Sequence, residues 1–281
     1  MSHREKCIHK YRGTSEAVCV EFQKSIAEIR RSRQSIKDSG WEDGSVRFVK
    51  IQDIDTTRVH KPNFIETFRV DGEWYFAVVD SSKAGSTSLY RWNSNGFYSQ
   101  QSLHPWHRDT HIDFLELEGK PCLLLSSASE PPVVYQWNRS QQQFLYLFQI
   151  TDSGNIQMVK HFCIRKVLYI CLTRFIGDSK ILRWDSQRLV EIQTLPSRGS
   201  MAAYPFSIGI RQYLVLGSDY SFSRIYLWDE LTQRFQPFQE LNMLAPRGFT
   251  VVSVDEKDIL IAAIVQWPGF LLPDVLASAL P

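Results

Sequence analysis

The densest group of titratable side chains in the sequence lies between residues 104 and 111. It contains His104, His107, Asp109 and His111, with Arg108 among them. Imidazoles and a carboxylate at this spacing are typical of a metal site or of acid–base catalysis. The alternative, which we favour, is that these residues belong to loops at the edge of a sheet. No metalloprotease, serine hydrolase, dinucleotide or phosphate-binding motif accompanies them. We therefore predict that the protein is not an enzyme and takes no cofactor.

The five cysteines divide into two groups. Cys122, Cys163 and Cys171 occur in apolar, strand-like runs, and we expect them to be buried free thiols because free cysteine behaves as a small apolar residue. Cys7 and Cys19 lie close together in a polar segment and could form a disulfide bond. Five cysteines cannot all pair within one chain.

Bulk composition argues against several classes of protein. The chain has 281 residues, 43% of them hydrophobic, and a formal net charge of +2. This charge gives no reason to expect a nucleic-acid partner. No apolar run reaches the roughly 18–20 residues that a membrane span needs, and the first residues lack the apolar core of a secretory signal. We expect no membrane insertion, and the chain shows no signal peptide.

Four tryptophans recur at nearly equal spacing and indicate an internal repeat. Trp92, Trp137, Trp184 and Trp228 are 45, 47 and 44 residues apart, and each follows an apolar or aromatic run and precedes Asn or Asp. A second mark, an aromatic residue or leucine followed by glutamine, comes a few residues later. Repeats of this length are typical of propeller blades.

Each repeat contains about four short apolar runs separated by turn residues. The second run of each repeat is the clearest, and its four copies are Trp74–Val79, Pro121–Leu125, Val167–Leu172 and Gln212–Leu216. Runs of this length between Gly- and Ser-rich turns are typical of strands. We therefore predict an all-β fold, a β-propeller of four-stranded blades. The alternative is a β-sandwich with chance similarity between its parts.

The two ends of the chain depart from the repeat. Residues 1–47 form an atypical segment that contains the remnant of an early blade and, over residues 21–37, a basic amphipathic helix. Residues 48–264 carry the blades. Residues 265–281 form a divergent tail, in which we expect the closing strand of the fifth repeat to be missing.

Short motifs between the predicted strands are distinctive. Five of them are Asp80-Ser-Ser-Lys-Ala-Gly85, Trp106-His-Arg-Asp-Thr110, Thr173-Arg-Phe-Ile-Gly-Asp-Ser-Lys180, Leu195-Pro-Ser-Arg-Gly-Ser200 and Leu216-Gly-Ser-Asp-Tyr-Ser221. From about residue 48 to 263 the chain resembles the epitempin (EAR) repeats of the leucine-rich glioma-inactivated proteins, and within that family the third member is the most similar. The resemblance implies a seven-bladed propeller, here truncated at both ends to about four whole blades plus partial ones.

The resemblance also implies a function. Members of the family are secreted neuronal glycoproteins whose propeller binds catalytically inactive ADAM-type transmembrane receptors at the synapse or on the axon. The family's basic receptor contacts match Lys61, Lys83, Arg108 and Arg198, and a residue of its apolar pocket matches Met201. Three further positions differ from the family and predict weaker binding: His60, Asn155 and Gln157. The early disulfide bond of the family matches Cys7 and Cys19.

Two further sites follow from the resemblance and from a motif. The resemblance implies a metal, expected to be calcium, that two Asp side chains hold in the central channel of the family, and the matching residues here are Phe64 and His111. Neither is an oxygen donor, and calcium requires several oxygen ligands. We therefore predict no metal at this place. Asn138-Arg-Ser140 is a glycosylation sequon at a turn after a Trp mark, where a sugar could lie in solvent.

These observations favour an extracellular module that binds an ADAM-type receptor. The second hypothesis is a truncated, non-secreted isoform that acts as an intracellular scaffold or has no function. A hydrolase on a propeller scaffold is the third, and the missing nucleophile motifs and carboxylate pairs argue against it. The sequence predicts no oligomeric state.

Overall fold

The computed structural model describes residues 18–20, 50–54, 61–83, 85–105, 107–151, 153–254, 257–264 and 275–279. The predicted helix over residues 21–37 lies outside this part of the chain. So do Cys7, and with it the predicted Cys7–Cys19 bond, and His60.

Four antiparallel sheets of four strands each follow one another along the chain. We number them sheets 1 to 4. Sheet 1 contains β3 (Pro62–Val70), β4 (Glu73–Asp80), β5 (Thr87–Trp92) and β6 (Phe97–Leu103); sheet 2 contains β7 (Asp109–Leu117), β8 (Lys120–Ser127), β9 (Val133–Asn138) and β10 (Gln143–Gln149); sheet 3 contains β11 (Ile156–Ile164), β12 (Val167–Arg174), β13 (Ser179–Asp185) and β14 (Arg188–Leu195); sheet 4 contains β15 (Ala203–Ile208), β16 (Arg211–Leu216), β17 (Ser223–Asp229) and β18 (Arg234–Leu241). The predicted four-stranded repeat is confirmed.

Incomplete sheets lie at both ends. Sheet 5 has three strands, β19 (Pro246–Val254), β20 (Lys257–Ile264) and β21 (Val275–Ala279), and a two-stranded sheet pairs β1 (Val18–Val20) with β2 (Lys50–Asp53). The third strand β21 pairs with Ile259–Ala263 and lies in the tail for which we expected no closing strand. The sequence analysis missed it because the segment lacks the Trp mark.

Successive sheets pack face to face. Each of four apolar clusters is built from two neighbouring sheets, and the first strands β3, β7, β11, β15 and β19 contact one another in order. The second strand of each of sheets 1 to 4 carries a fully buried residue at one matching position: Ala77, Leu124, Cys171 and Val215. A sheet that is apolar on both faces must be covered on both, and stacking it between like sheets achieves this. This is the arrangement of propeller blades, with the first strands innermost.

A repeated glutamine joins the outermost strands of neighbouring sheets. The Gln101 side chain donates from Nε2 to the Phe144 carbonyl at 2.8 Å and accepts from the Phe144 backbone N–H at 2.9 Å. Gln193 bonds Phe235 in the same two-way manner, and Gln52 of β2 bonds Phe97. This explains the glutamine of the second sequence mark, because one glutamine amide can hydrogen-bond both the backbone N–H and the backbone carbonyl of a single residue in the neighbouring sheet.

One expectation about the cysteines is wrong. Cys122 and Cys171 are buried free thiols as predicted, but Cys163 is exposed. It lies one residue before the end of β11, on the side of the strand opposite to the buried Ile164, because successive side chains of a strand point to opposite faces.

Among the described residues, no helix is long and apolar enough to cross a membrane.

Candidate interaction face and axial cluster

The predicted receptor-contact residues lie at one end of the sheets. In an antiparallel blade, the turn after the second strand and the link after the fourth strand emerge at the same end, which we call the loop face. Lys61, Arg108, Arg198 and Met201 lie in links between blades, and Lys83 lies in the turn between β4 and β5. The topology therefore brings all five residues to the same face.

The buried Asp80 carboxylate positions Lys61 and Lys83. Its Oδ1 accepts hydrogen bonds from the backbone N–H groups of Lys61 at 3.1 Å and Ser82 at 2.8 Å. Gly85 closes the same turn, where a Cβ atom would lie 2.6 Å from the Asp80 Cγ. The motif from Asp80 to Gly85 is thus a turn built around one buried carboxylate, which leaves Lys83 exposed at its tip.

The histidine-rich segment positions Arg108. The Asp109 carboxylate is buried and contacts the His104 Nδ1 and the Thr87 hydroxyl, both at 2.6 Å. The His104 and His107 rings stack with their centroids 3.9 Å apart. Arg108 accepts a hydrogen bond at its carbonyl oxygen from the Ala128 N–H and is itself exposed. His104 and His107 lie in the link before β7, as the loop interpretation predicts, whereas Asp109 and His111 are buried on β7 itself. Within the described ranges, no group of three His, Cys, Asp or Glu side chains could hold a metal ion.

Arg198 and Met201 lie in the link between β14 and β15. The Ser218 hydroxyl donates to the Arg198 carbonyl at 2.5 Å, which ties this link to the turn after β16. Arg198 is exposed and Met201 is partly buried. The departures from the family at Asn155 and Gln157 lie on the same face, where the Gln157 amide donates to Asn155 Oδ1 at 3.1 Å.

The loop face carries basic side chains without acidic partners. In the part of the chain that the structure describes, none of Lys61, Lys83, Arg108 and Arg198 forms an ion pair. Three acidic side chains of these loops are already engaged. Asp80 and Asp109 are buried in the loops described above, and Asp219 holds Arg247 in a two-pronged pair at 2.6 and 2.8 Å. The four cations of the face are therefore not compensated by ion pairs, although Glu130 and Asp178 lie in turns at the same end of the sheets.

The position that the resemblance assigns to a metal is filled by two rings. The Phe64 and His111 rings lie with their centroids 3.8 Å apart, near the loop-face ends of β3 and β7. His111 is buried, and neither ring nitrogen has a hydrogen-bond partner among the described residues. Burial, reinforced by the nearby Lys160 ammonium, holds the pKa of His111 well below its usual 6.5. A neutral imidazole against a phenyl ring offers no set of oxygen ligands for calcium.

An ionic cluster lies on the innermost strands next to these rings. The Lys160 ammonium is 3.0 Å from Asp113 Oδ1, while the His161 backbone N–H and ring Nδ1 lie 2.6 and 2.7 Å from Asp113 Oδ2. Burial opposes the ionisation of Asp113, yet Lys160 and His161 hold its pKa below the usual 3.8. Glu66 faces the same group, and burial raises its pKa to about 7 against the opposing effect of Lys160. We call Glu66, Asp113, Lys160 and His161 the axial cluster.

The sequence analysis missed the axial cluster, although a signal was present. Glu66, Asp113 and Lys160 are each 47 residues apart and pair across their sheets with the matching residues Ala77, Leu124 and Cys171. Charged residues at one repeat position of an inner strand indicate that neighbouring blades meet there. Each charge taken singly resembles an ordinary surface residue of a strand.

Replacing His111 by leucine should stabilise the protein by about 1–3 kcal/mol, because it removes two buried nitrogens that lack partners. The gain should grow as the pH falls below 6.5, where the unfolded histidine binds a proton and the folded one does not. Urea denaturation at acidic and at mildly basic pH measures this gain. His107→Leu, which alters a partly exposed ring of the loop face, is the control. An unchanged or lowered stability of His111→Leu at both pH values would contradict the prediction.

The glycosylation sequon lies at the opposite end of the sheets. Asn138 ends the third strand of sheet 2, and its Oδ1 accepts a hydrogen bond from the Gln141 N–H at 3.0 Å. A sugar on its Nδ2 atom would extend away from the loop face. Occupancy of the sequon stays a prediction.

Comparison with protein families identifies the repeats. The EPTP domain family matches residues 47–93, 96–138, 149–185 and 188–229. Each matched segment begins at or near the outermost strand of one sheet and runs through the first three strands of the next sheet. The sequence repeat is therefore offset by one strand from the structural blade, so that each repeat links two blades.

Curated proteins from several animals are similar to the chain. Leucine-rich repeat LGI family member 3 of Macaca fascicularis is 56% identical over 222 residues, which are 79% of this chain and 40% of that protein. Leucine-rich glioma-inactivated protein 1 of Rattus norvegicus and of Homo sapiens is 44% identical over an alignment of 276 residues that covers 93% of this chain and 49% of those proteins. The chain thus spans between about two fifths and half of the length of these relatives.

Solved structures share the fold at low sequence identity. A protein of Bacteroides uniformis named as a 6-phosphogluconolactonase matches with a TM-score of 0.57 and 13% identity, over 79% of this chain and 68% of that chain. A Bacteroides fragilis protein with the same assigned name gives the same score and identity. At this identity the likeness concerns the fold alone.

Proposed function

Because the chain belongs to the leucine-rich glioma-inactivated (LGI) family and carries its EPTP repeats, we propose that it is a secreted protein-interaction propeller. Its partner is a catalytically inactive ADAM-type receptor on the cell surface, in signalling at the synapse or on the axon. The proposal includes the sugar on Asn138, the Cys7–Cys19 bond and a propeller of about four whole blades plus partial ones, truncated from the seven of the family.

The loop face is the observation that carries this proposal. Four basic side chains without acidic partners lie on one face, and their loops are fixed by buried hydrogen bonds. Such a face attracts an acidic protein surface and speeds its association. Fixed loops also lose little conformational entropy on binding.

An apolar anchor near the axis completes the binding mode. Met201 lies on the loop face beside the fully buried Ala202. Binding sites with an apolar centre and a charged rim concentrate the binding energy at the centre, while the rim charges set orientation and association rate. We propose that a receptor aromatic side chain contacts Met201 and that receptor carboxylates pair with Lys61, Lys83, Arg108 and Arg198.

The double variant Arg108→Glu/Arg198→Glu tests this function. It should weaken binding to a purified ADAM-type receptor ectodomain by about 100-fold, because two favourable charge pairs become repulsive and each change of about 1.4 kcal/mol is tenfold. Surface plasmon resonance measures the affinity, and circular dichroism should show an unchanged fold.

The control variant is Arg188→Glu/Arg211→Glu, which makes the same charge change at exposed sites on the opposite end of the sheets. It should bind the ectodomain with nearly the affinity of the unaltered protein. Equal binding by both double variants would remove the loop face as the receptor site.

A further inference from the structure

Exposed apolar side chains cluster on the loop face of sheets 3 and 4. Ile176 is 74% exposed, Tyr220 68%, Phe222 49% and Leu244 52%. They lie in the turns after β12 and β16 and in the link after β18, which are neighbouring loops. We call these four residues the apolar shelf. A group of large apolar side chains that a folded chain leaves in water typically marks an interaction site.

Hydrogen bonds between the loops make the shelf a fixed surface. The Gly199 N–H donates to the Phe175 carbonyl at 3.0 Å, and the Asp219 N–H donates to the Gly199 carbonyl at 3.1 Å. The Ala245 N–H donates to the Ser218 carbonyl at 2.9 Å, which ties the last loop to the second. The shelf is therefore present before any partner binds.

Glycine is required beneath Tyr220. Gly199 has a φ of +63°, and a Cβ atom there would lie 2.8 Å from the Tyr220 ring. The ring also meets Phe175 edge-on at a centroid distance of 5.5 Å. The tyrosine is thus held between a glycine backbone and a second ring while 68% of it stays exposed.

Charges around the shelf favour a protein segment over a lipid surface. Asp219 is neutralised by Arg247, and the Asp178 carboxylate accepts a hydrogen bond from the Ser197 N–H. Of the four loop-face cations without an ion pair, Arg198, beside Gly199, is the one in the link between sheets 3 and 4, whereas Lys61, Lys83 and Arg108 lie in the loops of sheets 1 and 2. Binding to an anionic membrane needs several cations in one patch, whereas one free guanidinium beside an apolar area fits one carboxylate beside apolar side chains.

We propose that the apolar shelf and Arg198 form a lateral contact site for a protein segment that carries aromatic or aliphatic side chains next to a carboxylate. This inference rests on the proposed function, since it places the shelf within the same partner interface. It extends that interface from the axis outward over sheets 3 and 4.

The test compares two pairs of exposed apolar residues. Ile176→Ser/Tyr220→Ser alters the shelf, and Ile210→Ser/Leu231→Ser alters residues that are 94% and 95% exposed at the opposite end. Two probes are used: the purified ADAM-type ectodomain, and a synthetic peptide of alternating tryptophan and glutamate with a glutamine counterpart. The shelf variant should bind the ectodomain and the acidic peptide at least about tenfold more weakly than the unaltered chain does. The control variant should bind both probes with unchanged affinity. The unaltered chain should bind the glutamine peptide more weakly than the acidic peptide.

Each outcome decides between the two proposals. If the ectodomain does not bind the unaltered chain but the acidic peptide binds through the shelf, the receptor function fails and the lateral site stands. If neither probe distinguishes the shelf variant from the control variant, the lateral site is overturned. Binding to vesicles of equal parts phosphatidylcholine and phosphatidylserine that is lost in the shelf variant, with unchanged peptide binding, would also overturn it in favour of a membrane.

Discussion

Replacing Lys160 by methionine is expected to lower the free energy of unfolding by about 3–5 kcal/mol. Methionine keeps much of the side-chain volume but removes the ammonium that lies 3.0 Å from the buried Asp113 carboxylate. Removing one partner of a buried pair leaves an uncompensated charge, which costs far more than a surface pair contributes. The loss should be evident in urea denaturation at neutral pH.

A lysine in a more exposed pair provides the control. Lys50 lies 2.9 Å from Asp53, and both side chains are more than half exposed, so Lys50→Met should cost no more than about 1 kcal/mol. Adding Asp113→Asn to Lys160→Met should recover part of the lost stability, because the uncompensated charge is then gone. An equal effect of the two lysine variants would show that the axial cluster does not stabilise the packing of the innermost strands.

Replacing Glu66 by glutamine is expected to stabilise the protein at mildly basic pH by up to about 3 kcal/mol. The pKa of Glu66 is raised from 4.5 to about 7 because burial penalises its charge, with Asp113 adding to the rise and Lys160 and His161 opposing it. A folded-state pKa above the unfolded value means that the folded protein holds the proton more tightly. Stability from this group is therefore present at acidic pH and is lost as the pH rises from about 4.5 to 7, at about 1.4 kcal/mol per unit of pKa shift.

Titratable groups near Glu66 have different pH dependences. His111 has a lowered pKa, so the stability that its neutral form contributes is lost as the pH falls below 6.5. The stability that Glu66 contributes is lost in the opposite direction, as the pH rises. The pKa of Lys160, which also faces Tyr204, is raised above 10.5 against the effect of burial, and that of Asp113 is lowered below 3.8, so their pair changes little in this window. The stability of the Glu66→Gln variant should therefore not decline between about pH 4.5 and 7, and it should keep the pH dependence that arises from His111.

Denaturation curves at several pH values measure this effect, with Glu116→Gln as the control. Glu116 is exposed near the end of β7, and its replacement should leave the pH profile unchanged. A Glu66→Gln profile parallel to that of the unaltered protein would contradict the burial of this carboxyl group.

Several features were predictable because they repeat locally. The tryptophans and glutamines recur at the blade period since each occupies the same place in every sheet, and Gln101 and Gln193 show what the second mark does. The second strands were also visible, because a buried strand is a continuous apolar run. Strand β21 and the exposure of Cys163 were not predicted, since the first lacks the mark and the second depends on which face of a strand is covered.

The sequence by itself determined the repeat, the number of strands in each unit, the family and the residue types of the loops. Only the tertiary structure decided that Lys61, Lys83, Arg108 and Arg198 share one face without acidic partners. It also decided that Glu66, Asp113 and Lys160 meet on the innermost strands. The physical reason is that periodicity arises from neighbours along the chain, whereas charge pairing and burial depend on distances between residues that are tens of positions apart.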